Sequence, residues 1–341
     1  MGAIQTQFGA AGRGRTDVRV LFTCAGRRVE LIQAFGRAAE QLGISLSVHV
    51  ADAEPHFAAA CIAQRAHRLP RTHSPDYVPG LIEVARREQI DLLVPLIDLE
   101  LQAISDAREQ FAELGCHAVI SSPQVVRTCG DKLATWKFLS ERGIPAPKTW
   151  LPDEVLGRTE HSFPYFLKPR WGSASKGNCV IRSLEDLQGL GPAAQGAIIQ
   201  ELLEGAEHTL DVYTGADGRP RCVVPRRRIE VRGGEVTKSL TVKHDGIIAT
   251  GVRVAEALAE CVGTITIQLF LRDDGAIHVI EINPRFGGGV PLAIEAGADF
   301  PRWLLAEWLG RPAAIRLDTF RPGVLMLRYH QSFFRENVAE A

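Results

Sequence analysis

The chain has 341 residues, 45% hydrophobic and 23% charged, a globular composition that is too long for one ordinary core and implies two or three domains. A formal net charge of -1 removes any general electrostatic case for nucleic acid or an anionic membrane. Seven scattered cysteines without a C-x-x-C pair, and ten histidines without ligand spacing, exclude a disulfide scaffold and a standard zinc site and fit a cytoplasmic protein.

No apolar run approaches the roughly 20 residues that span a bilayer. Residues 1–17, MGAIQTQFGAAGRGRTD, lack the apolar core of a signal peptide and read as a flexible tail, although Gly2 and Thr6 match a myristoylation pattern. From residue 18 strand-like and helical runs alternate: VRVLFTC (18–24), a helix over 27–43, SLSVHVA (45–51), a helix near 75–89, DLLVPLI (91–97), a helix over 99–115, and HAVI (117–120). Short connections between such runs predict a parallel sheet covered on both faces, an α/β domain over 18–125. Ligands of such sheets sit at the carboxyl ends of the strands, which places TCAGRR (23–28), Asp52 and PLIDLE (95–100) on one edge. A dinucleotide turn uses three glycines, whereas TCAGRR has only Gly26, with Arg27 and Arg28 following it. Asp52, at the end of the second strand, keeps the dinucleotide alternative open. The other reading gives Arg27 and Arg28 to a substrate carboxylate, and Asp98 and Glu100 to an amino group.

A helix over 131–143 runs into IPAP, which marks a domain boundary. Strands and hairpins follow: PYFLKP (164–169), NCVI (178–181), AIIQEL (197–202), HTLDVYT (208–214) and RCVVPRRRIEV (221–231). A helical stretch over 251–262 separates these from TITIQLFL (264–271) and IHVIEINP (277–284). This α+β region divides into 126–197, carrying a candidate phosphate loop, and 198–341, carrying a candidate metal site.

In HVIEINPR, Glu281 and Asn283 are two apart on a strand and project to one side, offering the oxygen ligands that magnesium demands. A hairpin about DDGA (273–276) would bring Gln268 near Glu281. E-x-N equally suits a plain exposed edge strand. Lys168 ends an apolar strand and leads into a small-residue loop over 172–177, with Ser173 and Ser175, able to approach phosphate oxygens or to form a simple hairpin tip. Residues 200–203 can offer backbone groups to an adenine, and Glu207 a carboxylate to a ribose. In VPRRRIEV, Arg226 and Arg228 share one strand face, as a solvated edge or as a clamp on a phosphoryl group. FGGG (286–289) opens a short helical run and could place amide groups, Gly288 among them, on an anion.

The order Lys132, Lys168 with its loop, QELLEGAE, Gln268 and E-I-N-P-R resembles the ATP-grasp superfamily over about 18–310. It is most similar to carbamoyl-phosphate-synthase-like single-chain members and carboxylate–amine ligases. The resemblance implies an N-terminal Rossmann-like domain followed by two ATP-grasp subdomains. It implies that Lys132 and Lys168 bind phosphates, that Gln200, Glu201 and Leu203 form the adenine hinge, and that Glu207 binds the ribose. Gln268, Glu281 and Asn283 would hold Mg2+, two ions in the resemblance, with Mn2+ able to substitute. Arg285, with Arg228 and Lys168, would face the transferred phosphoryl group. The implied reaction is ATP-dependent joining of a small-molecule carboxylate to an amine through an acyl phosphate, with release of ADP and no nucleic-acid or membrane partner; a homodimer stays open. A synthetase or kinase acting on another carboxylate, and a silent ATP sensor, are the alternatives.

Overall fold

The computed structural model describes residues 12–172 and 177–336. The first domain contains β1 (Asp17–Thr23), α1 (Val29–Leu42), β2 (Ser45–Asp52), β3 (Arg65–Arg68), α2 (Tyr77–Glu88), β4 (Leu92–Pro95), α3 (Asp98–Asp106), α4 (Arg108–Glu113) and β5 (His117–Ala118). Its strands form a five-stranded parallel sheet in the order β3-β2-β1-β4-β5. Central β1 is buried on both faces, as its unbroken VLF run requires. Apolar spacing in α1 buries Leu31, Ile32, Phe35, Ala38 and Ala39 along one side, and the helix stops at Gly43, whose φ of 66° is left-handed. Of the expected flexible tail, residues 1–11 lie outside the described residues, while residues 12–17 are anchored. Arg15 pairs with Asp91 at 2.5 Å and lies over the Trp308 ring, and Asp17 already starts β1.

The next helices are α5 (Pro123–Gly130) and α6 (Lys132–Glu141). They lead to a four-stranded antiparallel sheet, order β6-β9-β7-β8, built from β6 (Thr149–Trp150), β7 (Tyr165–Pro169), β8 (Cys179–Ile181) and β9 (Ala197–Glu201). Helices α7 (Pro152–Leu156) and α8 (Leu184–Gly189) pack on it. The remaining strands are β10 (Ala206–Thr214), β11 (Pro220–Arg232), β12 (Glu235–Thr241), β13 (Gly263–Leu271), β14 (Ile277–Asn283) and β15 (Leu325–Leu327). They make a six-stranded antiparallel sheet ordered β14-β13-β10-β11-β12-β15. Helix α9 (Asp245–Leu258) interrupts them, and α10 (Val290–Glu295) and α11 (Phe300–Trp308) follow β14.

Both expected internal boundaries shift. A division at 197 cuts β9, whose side chains belong to the small core with Tyr165, Leu167 and Leu187. The start at 126 also fails, because α5 and α6 bury Val125, Cys129 and Leu139 against Leu210, Val212, Ile265 and Ile267 of the large sheet. The small subdomain therefore runs from about β6 to β9. The first domain shares a core with the large sheet as well: Phe22, Leu31 and Phe35 join Tyr213, Val224, Phe286, Phe300 and Trp308 in one cluster.

Candidate active site

Side-chain alternation divides the large sheet into two unlike faces. Leu210, Val212, Val223, Ile265, Ile267 and Leu269 face α5, α6 and α9. On the opposite face, register aligns Arg226 with Thr209, Thr209 with Gln268, and Gln268 with Glu281. Glu207, Asp211, Arg228, Thr266 and Asn283 stand two residues away on the same side. The expected hairpin therefore forms, and Gln268 stands directly opposite Glu281. Asn283 Nδ2 donates to Glu281 Oε1 at 3.1 Å. Between β13 and β14 the register slips after Gln268, leaving Ile280 as an extra residue. Lys168, buried at 6% exposure, crosses from β7 and donates from Nζ to the Ile280 carbonyl at 3.2 Å. Burial pushes the Lys168 pKa down to about 8; Glu281 opposes the shift and Lys132 adds to it.

Lys132 opens α6 and donates from Nζ to the Gly172 carbonyl at 2.7 Å. It is held there by Asp131, a residue the sequence reading did not single out. The Asp131 carboxylate caps α6 through Leu133 and Ala134 N–H and accepts from Arg170 Nε at 2.8 Å and Nη2 at 2.5 Å. Arg170 lies just past β7, so the latch joins both lysines to one strand end. Ser173 and Ser175 lie outside the described residues. Of the hinge candidates, Gln200 is turned into the sheet: it is 4% exposed, and its Nε2 donates to Thr149 Oγ1 at 2.8 Å. Glu201 N–H is spent on the Lys148 carbonyl. Leu203, between β9 and β10, makes no backbone hydrogen bond among the described residues, so it keeps the free groups an adenine edge needs. Glu207 pairs with Arg228 at 3.0 Å, and burial raises its pKa, with Glu281 adding and Arg228 opposing. Arg228 also donates to Thr209 Oγ1 and the Gly234 carbonyl.

Arg226 is not a free clamp. At 1% exposure it pairs with Asp211, itself 0% exposed, donating from Nε at 2.6 Å and from Nη2 at 3.1 Å. Arg285 leaves β14 toward the first domain and donates to Asp98 at 2.5 Å, Phe286 O at 3.1 Å and Asn283 Oδ1 at 3.4 Å. Asp98 thus anchors Arg285 and is not a bare receptor for an amine. Glu100 is corrected outright. It is 0% exposed, takes the Leu96 and Ile97 amides and the Tyr77 hydroxyl, and its pKa is raised by burial against those hydrogen bonds. A carboxylate sealed in that network braces the turn after β4 and is not open to receive an amino group.

The TCAGRR turn separates its arginines. Arg27 is exposed and pairs with Glu235 at 3.3 Å. Arg28 turns inward onto Gly288, where a Cβ would stand 2.9 Å from its Nη1. Asp52 accepts the Gly26 and Glu54 amides, so the acid and the amide of a dinucleotide site satisfy each other. FGGG is enclosed by guanidinium groups: a Cβ on Gly289 would stand 2.4 Å from Arg226 Nη1, and Arg328, which the sequence reading missed, donates to the Gly288 carbonyl. A side chain at 289 would collide with the buried, Asp211-paired Arg226 and with Val236, whereas one at 288 would have to push aside the end of Arg28.

Residues 129–289 match the family model of the ATP-grasp domain, and residues 20–120 that of the PylC-like N-terminal domain. A carbamoyl-phosphate synthase of Methanobrevibacter smithii is 25% identical over 221 residues, covering 60% of this chain and 60% of that protein. A D-alanine–D-alanine ligase of Streptomyces griseus is 26% identical over 211 residues, 51% of this chain and 53% of that one. The chain thus spans little more than half the length of these curated relatives. Among solved structures, the biotin carboxylase domain of Hydrogenobacter thermophilus 2-oxoglutarate carboxylase, in complex with MgADP, ADP and bicarbonate, superposes with a TM-score of 0.70 at 16% identity, covering 90% of this chain and 73% of that one. With its parallel first domain, its two antiparallel sheets and both family models in chain order, the chain carries an ATP-grasp domain over residues 129–289 behind a PylC-like N-terminal domain over residues 20–120.

Proposed function

We propose that the protein is an ATP-dependent ligase joining a small-molecule carboxylate to an amine. The reading is carried by one observation: Lys168, from the small sheet, reaches the bulge of the strand that presents Glu281 and Asn283 opposite Gln268. A carboxylate flanked by two carboxamides is a hard oxygen donor set suited to Mg2+, or to Mn2+ in its place. Glu281, Asn283 and Gln268 would hold the metal, which supplies charge neutralisation along the polyphosphate. The MgADP in the Hydrogenobacter structure belongs to that protein and supports the same nucleotide here.

Each role then follows from local physics. The unpaired backbone at Leu203 receives the adenine edge, and Glu207 is placed for the ribose. Burial disfavours the Lys168 ammonium, so an arriving phosphate gives that charge a desolvated partner. Lys132 adds a second cation. A substrate carboxylate oxygen attacks the γ-phosphorus while the bond to ADP breaks, and Arg285 and Arg228 stabilise the oxygens that gain charge. The amine nitrogen then attacks the acyl carbon, inorganic phosphate leaves, and loss of an amine proton completes the amide. The test is magnesium-dependent ADP release with pools of amino acids, dipeptides and simple carboxylic acids, with Glu281→Gln as control. Pool-dependent release that vanishes in the variant supports the ligase. ATP binding without release under every pool favours a sensor, and absent ATP binding removes the reading.

A further inference from the structure

Arg28 has no hydrogen bond or ion pair from its side chain among the described residues, although it is set into the protein beside Arg285 and Arg328. Its neighbours are otherwise matched: Arg226 by Asp211, Arg285 by Asp98 and Arg27 by Glu235. The acidic contacts of Arg328 are long, to Glu30 at 3.5 Å and Glu235 at 4.0 Å, and its guanidinium also donates to the Val236 carbonyl at 3.5 Å and to the Gly288 carbonyl. Burial pushes the Arg28 pKa down to about 10, Arg285 and Arg328 push the same way, and Glu235 and Asp98 oppose. Arg28 is half-buried, so water still reaches its guanidinium, and an anionic ligand would supply the counterion that no acidic side chain provides there. A second element delivers the partner cation. Strand β15 pairs with β12, and the next residue is Arg328, whose N–H donates to the Thr237 carbonyl. Arg328 lies outside both family-matched segments, which end at residues 120 and 289.

We propose that Arg28 and Arg328, on either side of Gly288, form an oxyanion subsite for a non-reacting anionic group carried by the amine co-substrate. The inference rests on the ligase reading and deepens it. The reacting carboxylate belongs beside Glu281 and Asn283, where the phosphoryl group is transferred. An anion held on Arg28 stands on the glycine turn against the first domain, and a carboxylate clamped there is not the nucleophile. The chemistry recognised is a carboxylate or phosphate oxyanion, so the amine is an amino acid or a phosphorylated amine. Uncharged amines lack the group that compensates Arg28.

The experiment compares ADP release driven by amino acids, O-phosphoethanolamine, amino-acid amides and ethanolamine, in the wild type and in Arg28→Gln, Arg28→Lys and Arg328→Gln. The amino acids and O-phosphoethanolamine distinguish the two anion sources. A charge-assisted hydrogen bond is worth a factor of roughly 10–100, so Arg28→Gln is expected to raise KM for the anionic amine by about that much, with KM for ATP unchanged. Arg28→Lys should recover part of the loss, and Arg328→Gln should show a smaller rise. Because Arg28 has no partner to orphan, Arg28→Gln should melt no lower than the wild type. In a parallel arm without nucleotide, inorganic phosphate and succinate should raise the melting temperature of the wild type and not of Arg28→Gln. Equal use of amides and acids, an unchanged KM in Arg28→Gln, or equal stabilisation of both proteins by the probes would overturn the subsite. If no pool drives ADP release, the ligase reading falls and the probe arm alone decides the subsite.

Discussion

Replacing Lys168 by methionine should stabilise the nucleotide-free protein while removing its ability to use ATP. In the unfolded chain this lysine holds its proton up to its ordinary value of 10.5, whereas in the fold burial brings the pKa down to about 8. Between those values the unfolded chain binds more protons, so stability rises with pH across the window. The burden of the charged lysine is fully present below the folded value and is gone above the unfolded one. At 1.36 kcal/mol per unit, the burden at neutral pH is about 3 kcal/mol. Methionine also forfeits the hydrogen bond from Nζ to Ile280 O, which is worth about 1 kcal/mol, and it fills a similar volume. The net expectation is a gain of about 2 kcal/mol at pH 7, shrinking and then reversing as pH approaches 10. Paired thermal melts of wild type and variant at pH 7, 8.5 and 10, without nucleotide, read the difference directly. A variant that melts lower at pH 7, or a difference flat across that range, would refute the argument that burial dominates Lys168.

Three further outcomes follow from other parts of the molecule. Asp211→Asn should lose roughly 3–5 kcal/mol by leaving the Arg226 guanidinium buried and unpaired, while Asp211→Leu with Arg226→Met should recover most of that in chemical denaturation. Gly289→Ala should impair folding or ATP binding, because its Cβ would stand 2.4 Å from Arg226 Nη1; a variant with unaltered melting and nucleotide affinity would count against the cation cradle. His49 and His67 are buried, stacked, and joined through Nδ1 and Nε2 at 3.2 Å, with Glu88 close by. Burial lowers both pKa values, with Glu88 opposing, and Arg65, Arg87 and Arg19 adding to the shifts of one or both rings. The unfolded chain therefore binds more protons as pH falls below 6.5, and stability present above that value should drain away on acidification. His67→Leu should flatten that acid limb of the melting curve, and an unchanged limb would remove the pair as its cause.

The first domain was legible because its strands and helices carry periods that local chemistry enforces. The runs VRVLF and LLV form strands buried on both faces, and the apolar stripe of α1 ends at a glycine that accepts the left-handed turn. Strand β3 was not legible: RAHR is arginine-rich, sits at a sheet edge and buries only His67, so it carries no apolar pattern of its own. Strand β15 was hidden for a related reason, since Leu325 and Leu327 remain exposed and the segment becomes a strand only through its pairing with β12. The domain boundaries moved because α5 and α6 are contiguous with the small sheet in sequence but bury their side chains on the large one.

The same distinction separates the halves of the site. Glu281 and Asn283 follow from a period of two, and a short D-D-G turn fixes the register that brings Gln268 opposite Glu281. Short-range rules suffice for that row. No short-range rule joins Arg28, Arg226, Arg285 and Arg328, which come from α1's entrance, the middle of β11, the end of β14 and the far edge strand. Their meeting depends on packing the first domain onto the large sheet, so a sequence reading sees only separate charged residues. The glycines carry the trace of it. FGGG invites reading as an amide nest, yet the Gly288 carbonyl accepts from Arg328, and the Cβ positions of 288 and 289 are filled by guanidinium groups. A run of glycines can therefore report what is crowded against the backbone as well as what the backbone binds. Here that crowd is a set of cations, all but Arg28 and Arg328 matched closely by acids, and this asymmetry is what directs an anion to the turn.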